Sequence, residues 1–266
     1  MPTDSNAYQV VQRGTGDPLL VLHGFTGSAR NWQTLMTQLQ DDYRLIAPDI
    51  IGHGQSAKPA DIERYHIERV AAEIMALITE PVHLLGYSMG GRLALTIAVH
   101  HSDKVRSLIL ESASPGLQTS TERDARRTWD YALADRIERE GIRAFVDYWE
   151  TLALWDSQHQ LEPAVRDRLR QQRLQNDPRG LANSLRGMGT GVMPPLWDAL
   201  PHLTLPVQLL VGEYDEKYVA LNQRMAQVIP RSELMVVAGA GHTVHLERPN
   251  DYAKLVRQFL QTIQPS

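Results

Sequence analysis

Val82-His83-Leu84-Leu85-Gly86-Tyr87-Ser88-Met89-Gly90-Gly91-Arg92-Leu93-Ala94-Leu95 is an apolar run that meets a glycine-flanked serine and continues into helix-forming residues. It reads as strand, sharp turn, helix. The turn has the form Gly-x-Ser-x-Gly, whose small flanking residues let the backbone fold tightly enough to hold Ser88 strained at the strand's end with its hydroxyl exposed. The helix that starts there turns its unpaired amides and the positive end of its dipole toward the place where negative charge would develop, and Met89 supplies the nearest amide. Alone, the pentapeptide occurs by chance in many turns. Its weight here comes from a candidate acid and a candidate histidine that follow it in the order Ser, Asp, His.

Upstream, Tyr8 to Val11 and Leu19 to Leu22 are strand candidates separated by the turn signal Gly14-Thr15-Gly16-Asp17-Pro18. The second runs into His23-Gly24-Phe25-Thr26-Gly27, a loop placed to offer the Phe25 amide as a second donor to a developing oxyanion. His23, with no acid nearby in sequence, reads as a structural brace. Trp32, Leu35, Met36 and Leu39 recur at helical spacing, so Trp32 belongs to the core. Arg44 to Ala47 is the next strand, and the loop Pro48-Asp49-Ile50-Ile51-Gly52-His53-Gly54-Gln55-Ser56 after it reads as structural despite its Asp and His. Tyr65, Val70, Ile74, Leu77 and Ile78 mark the helix that leads to the elbow strand.

Downstream, Val105 to Leu110, Pro206 to Gly212 and Leu234 to Val237 are further strands. Strands alternating with helices predict an α/β fold, a mostly parallel sheet covered on both faces, with ligands at the carboxyl ends of the strands. Between Leu110 and Pro206 the strand signal vanishes. The expected organisation is a core of residues 1–114 and 201–266 with a helical cap inserted at 115–200, built from several short helices between Thr121 and Gly189. Leu209-Leu210-Val211-Gly212-Glu213-Tyr214-Asp215 places Asp215 just beyond a buried strand, with Glu213 a lesser alternative. Ala238-Gly239-Ala240-Gly241-His242 then presents His242 as the base, its tautomer fixed by that acid. His245 reads as structural or lid-facing.

The expected cap holds twelve arginines between residues 121 and 189 and no lysine, with enough acids to make most of them a solvated, salt-bridged face. Two are placed differently. Arg126 shares a helical stripe with Trp129, Leu133 and Ile137, and Arg173 shares one with Leu161, Val165 and Leu169. A guanidinium on an apolar face needs either a protein carboxylate or a bound anion opposite it. The planar fork suits bidentate binding of carboxylate, so a carboxylated small molecule is the sharper expectation. Trp155 reads as cap core.

Composition narrows the field. The chain has 266 residues, 42% hydrophobic and 22% charged, enough for one large α/β domain with an insertion. No apolar run approaches a membrane span. The absence of cysteine removes thiolate metal sites and cysteine nucleophiles. A net charge of -4 gives no general attraction for nucleic acid. Met1-Pro2-Thr3-Asp4-Ser5-Asn6 lacks the pattern of a secretory signal, so a cytoplasmic location is expected, with no membrane partner, no metal and no cofactor. Oligomeric state is not legible.

With elbow, oxyanion loop, acid and histidine in order, nearly the whole chain resembles the α/β-hydrolase superfamily. Three stretches are similar to one of its families, the 2-succinyl-6-hydroxy-2,4-cyclohexadiene-1-carboxylate synthases of menaquinone biosynthesis: Gly86-Tyr87-Ser88-Met89-Gly90-Gly91-Arg92, Glu111-Ser112-Ala113-Ser114-Pro115-Gly116-Leu117 leading to Arg126, and Arg173 through Leu181-Ala182-Asn183-Ser184-Leu185-Arg186-Gly187-Met188-Gly189-Thr190-Gly191. The resemblance implies a lyase that eliminates pyruvate from an enolpyruvyl cyclohexene bearing three carboxylates. By analogy Arg126 and Arg173 bind carboxylates, Arg92 assists, and Tyr87 and Trp149 contact substrate, Tyr148 standing beside Trp149. A serine hydrolase of esters or carbon–carbon bonds is the alternative enzyme. A ligand-binding receptor on the same fold is the alternative class, and an intact triad weighs against it.

Overall fold

The computed structural model describes residues 7–263; the Met1–Asn6 stretch, read above as lacking a secretory signal, lies outside the described residues. Seven strands form one sheet: β1 (Val10–Arg13), β2 (Asp17–Leu22), β3 (Tyr43–Pro48), β4 (Val82–Tyr87), β5 (Val105–Glu111), β6 (Val207–Gly212) and β7 (Ser232–Val237), in the order β1-β3-β2-β4-β5-β6-β7. Only β1 runs antiparallel to its neighbour; the other pairings are parallel. Every residue of β4 is buried, as expected of a central strand covered on both faces. Chain order reverses between β2 and β4, which pair Leu22 with Gly86, so the loops after these two strands emerge side by side. That reversal is where open α/β sheets bind ligands.

The core helices are α1 (Gln33–Leu39), α2 (Ile67–Ala76) and α3 (Met89–His100), with α7 (Glu216–Val228), α8 (Val244–Glu247) and α9 (Pro249–Gln261) after the insertion. One buried cluster, including Leu84, Leu93, Leu108 and Leu209, fills one side of the sheet. Another, including Trp32, Leu85, Ile109 and Phe259, fills the other. Some edges differ from the sequence reading. Tyr8 precedes β1 and sends its hydroxyl to Glu73 (2.9 Å). Tyr65 lies in a short 3-10 turn before α2, which ends before Leu77 and Ile78.

Between β5 and β6 lie α4 (Ser120–Trp149), α5 (Pro163–Leu174) and α6 (Pro178–Met188), with a 3-10 segment (Ala153–Gln160) between the first two and another (Trp197–His202) after the third. The expected break at Gly141 is present: α4 consists of two helical stretches that meet there. Thr119 and Glu122 form a reciprocal capping box at its start, and the non-helical backbone of Gly141 (φ 80°, ψ 172°) separates its two stretches at a kink. Leu133, Ile137, Phe145, Trp149, Trp155 and Leu181 give this segment a small core of its own. Among the described residues no helix is long and apolar enough to cross a membrane.

Candidate active site

Ser88 stands between β4 and α3 with φ 51° and ψ −109°, a left-handed conformation that costs a non-glycine residue about 1–3 kcal/mol. The turn is held from both ends: Ser88 N donates to Glu111 O (2.9 Å), and Arg92 N donates to Ser88 O (3.0 Å). The glycines around it answer to packing. A Cβ on Gly86 would lie 2.3 Å from Gly90 O, and one on Gly90 would lie 2.2 Å from Leu22 O. Strand, helix and the end of β2 therefore approach more closely than any side chain allows.

Asp215 opens α7 and His242 follows β7. The structure brings them to Ser88 across 127 and 154 positions of sequence: the His242 Nδ1–H donates to Asp215 Oδ2 at 2.6 Å, and the Ser88 hydroxyl donates to His242 Nε2 at 3.1 Å. Asp215 and His242 are buried, whereas Ser88 retains partial exposure. Glu213, the lesser candidate acid, instead accepts from Gly239 N (2.9 Å). Three rings surround the imidazole of His242: Tyr218 at 4.8 Å, Tyr87 at 5.4 Å and Trp155 at 5.7 Å. Trp155, read as cap core, thus also abuts the site.

The amides of Phe25 and Met89 meet no acceptor among the described residues. Phe25 lies in the loop after β2, next to Gly24, where an added Cβ would stand 3.5 Å from Ser88 Cβ, and Met89 is the first residue of α3. His23 braces the former: its Nδ1–H donates to Gly24 O (2.9 Å) and its Nε2 accepts from Ile50 N (2.9 Å). Burial lowers its pKa to about 4, so it is a neutral structural group. Asp49 is equally structural, accepting from Ala29 N and Gln55 N (both 2.7 Å).

The arginines divide by partner. Arg92, one helical turn beyond Ser88, donates to Met188 O (2.6 Å) and has no carboxylate in ion-pair range among the described residues. Burial, together with the charge of nearby Arg126, lowers its pKa to about 10. Arg126 uses Nε on Asp130 Oδ1 (2.8 Å), which leaves its two Nη nitrogens without a protein acceptor among the described residues. The stripe assigned to Arg126 is not inward throughout, because Trp129 is 40% exposed and lies under the Arg126 guanidinium. Arg173 is buried and already satisfied, with Nη1 on Glu150 Oε1 (2.9 Å) and Nη2 on Gln158 Oε1 (3.0 Å) over the Trp155 ring. Trp149 packs against Phe25 at 5.5 Å with its indole N–H unpaired, whereas Tyr148 lies under Arg136.

A cavity of about 30 Å³ is lined by Gly24, Phe25, Tyr87, Trp155, Gln158 and Arg173 among others. On the far side of Trp155, Gln158 and Arg173 lies a surface pocket of about 280 Å³. A larger cleft of about 940 Å³, with walls from β1, α1 and α5, touches neither Ser88 nor His242. Sequence reasoning missed Tyr218, Gln158 and Glu111. The first stands three residues after Asp215, on the first turn of the helix the acid opens, and that spacing could have found it; nothing local marks Gln158.

Residues 17–249 match the family model described as the alpha/beta hydrolase fold. A Bacillus subtilis protein provisionally named 2-succinyl-6-hydroxy-2,4-cyclohexadiene-1-carboxylate synthase is 42% identical over 98% of this chain and 97% of its own length. The Citrobacter koseri synthase of that name is 34% identical over 92% of this chain and 95% of its own. Among solved structures, MenH from S. aureus superposes with a TM-score of 0.93 at 34% identity, covering 97% of this chain and 99% of that one. A malate-bound esterase from Thermogutta terrifontis superposes at 0.84 with 28% identity, covering 97% and 94%.

Proposed function

The chain belongs to the α/β-hydrolase fold family and, within it, to the 2-succinyl-6-hydroxy-2,4-cyclohexadiene-1-carboxylate synthases, and from that membership we propose that it is a cytoplasmic lyase of menaquinone biosynthesis. It eliminates pyruvate from 2-succinyl-5-enolpyruvyl-6-hydroxy-3-cyclohexene-1-carboxylate. His242, oriented by Asp215, draws the hydroxyl proton of Ser88, and Ser88 takes the proton from the ring carbon beside the succinyl ketone. The electron pair moves onto the ketone oxygen, where the amides of Phe25 and Met89 stabilise it. It then returns to form the new ring double bond, the existing one shifts by one position, and the ring carbon–oxygen bond to enolpyruvate breaks. The departing enolpyruvate is protonated and becomes pyruvate. No covalent acyl-enzyme forms.

The observation that carries this reading is the unneutralised Arg92 guanidinium one turn from Ser88, beside an Arg126 with free Nη nitrogens. A buried cation needs an anion, and a substrate with three carboxylates supplies it. Trp149 and Tyr87 wall the ring, and Arg173 reaches a carboxylate by releasing Glu150. Residues 115–200 act as the cap, which carries Arg126, Trp149 and Arg173. Ester hydrolysis is the second reading, favoured by the likeness to the Thermogutta terrifontis esterase.

Pyruvate release from the enolpyruvyl cyclohexene separates the two. The wild type should release it, and Ser88→Ala should lose a factor on the order of a thousand or more. Rapid turnover of simple esters with no pyruvate would overturn the lyase reading.

A further inference from the structure

Glu111 is the last residue of β5 and is fully buried, paired in register with Tyr87. Its carbonyl accepts from Ser88 N (2.9 Å), while its carboxylate accepts from His245 N (3.1 Å) and from His245 Nδ1–H (2.9 Å). His245 lies three residues beyond His242 and is itself buried, between the rings of Trp32 (4.7 Å) and Tyr87 (4.8 Å). One residue thus grips the backbone of Ser88 and the segment that carries His242. The same segment is held at Thr243 by Gln158 (2.6 Å) and by the Glu247 carboxylate, which accepts from Gly241 N (2.7 Å) and Thr243 N (3.1 Å).

We propose that Glu111 and His245 are positioning residues: a second carboxylate–imidazole pair, outside the triad, that sets the distance between Ser88 and His242. The inference rests on the reading of Ser88 and His242 as the reacting pair, and not on which substrate they act upon. A buried polar pair is a poor way to gain stability, since apolar groups of equal volume serve as well or better. It is a good way to fix a geometry, because hydrogen bonds to a carboxylate are short and directional whereas apolar contacts slide. Proton transfer between Ser88 and His242 needs that precision, as misplacement by about 1 Å costs roughly a hundredfold.

The test compares Glu111→Gln and His245→Asn with Glu73→Gln. Glu73 is a buried carboxylate in α2, bonded to Tyr8, Arg64 and Arg69 and to no residue of the site, so its loss reports on stability. Three quantities are measured: the rate at which a neutral fluorophosphonate labels Ser88, kcat and KM for pyruvate release, and the thermal midpoint. Both site variants should slow labelling and kcat by roughly tenfold to a hundredfold with KM little changed. Combining them should add little, because they remove one interaction. Glu73→Gln should lower the midpoint and leave labelling at the wild-type rate. Folded Glu111→Gln or His245→Asn protein that labels as fast as wild type overturns the proposal, and His245→Asn decides it if Glu111→Gln does not fold. Labelled wild type that releases no pyruvate sinks the lyase reading alone, since the labelling rates judge the positioning pair for any substrate.

Discussion

Arg92 gains its importance from a spacing of four. Its amide closes the first turn of α3 on Ser88 O, so its side chain rises on the same helix face as Ser88. A charge-assisted bond is worth about 1.5–3 kcal/mol, so Arg92→Ala should raise KM for the tricarboxylate by roughly tenfold to a hundredfold. Labelling of Ser88 by a neutral phosphonate should stay at the wild-type rate. An equal loss on both would mean that Arg92 supports the fold through Met188 and binds no anion. Arg173 differs in kind, since Glu150 already neutralises it and any substrate carboxylate must displace that partner.

The elbow and the kinked helix both depend on glycine, for unlike reasons. Gly90 lies where β2, β4 and α3 converge, and a Cβ there meets backbone oxygens of Leu22 and His23 at 2.2 and 2.4 Å. Backbone cannot yield as a side-chain tip can, so Gly90→Ala should cost about 3 kcal/mol or more. Gly141 has open space around its Cβ position and only its φ of 80° to defend, so Gly141→Ala should cost about 1 kcal/mol. Chemical denaturation of the two variants tests this, and equal losses would refute it. The capping box at Thr119 and Glu122 explains why α4 starts where it does, and that Thr-x-x-Glu signal was readable in the chain.

Across the whole molecule, burial holds three histidines outside the site neutral: it lowers His23 from 6.5 to about 4, His53 to about 3 and His83 to about 4. The unfolded chain protonates them near 6.5 while the folded chain resists to near 4. In that window the unfolded state binds more protons, so stability is lost as pH falls through it. Each histidine contributes up to about 1.4 kcal/mol per pH unit. The thermal midpoint should drop steeply between about pH 6.5 and 4.5, and His83→Gln should flatten the fall while keeping a bond to Ser107. A midpoint constant over that interval would show that these side chains titrate alike in both states.

By itself the amino-acid sequence determined what local order can encode. Alternating apolar runs and amphipathic stretches located all seven strands, Gly-x-Ser-x-Gly marked the elbow, and the order Ser88, Asp215, His242 named three residues that the fold does bring together. Only the tertiary structure decided how charges pair. Arg126 and Arg173 share apolar helix faces in the sequence, yet one keeps free donors and the other is bound to Glu150 and Gln158. Glu111 meets His245 across 134 positions, a contact no local signal records. The physical reason is that strand and helix periodicity arise from neighbours along the chain, whereas a buried charge takes its partner from whatever the completed fold places within a few ångströms.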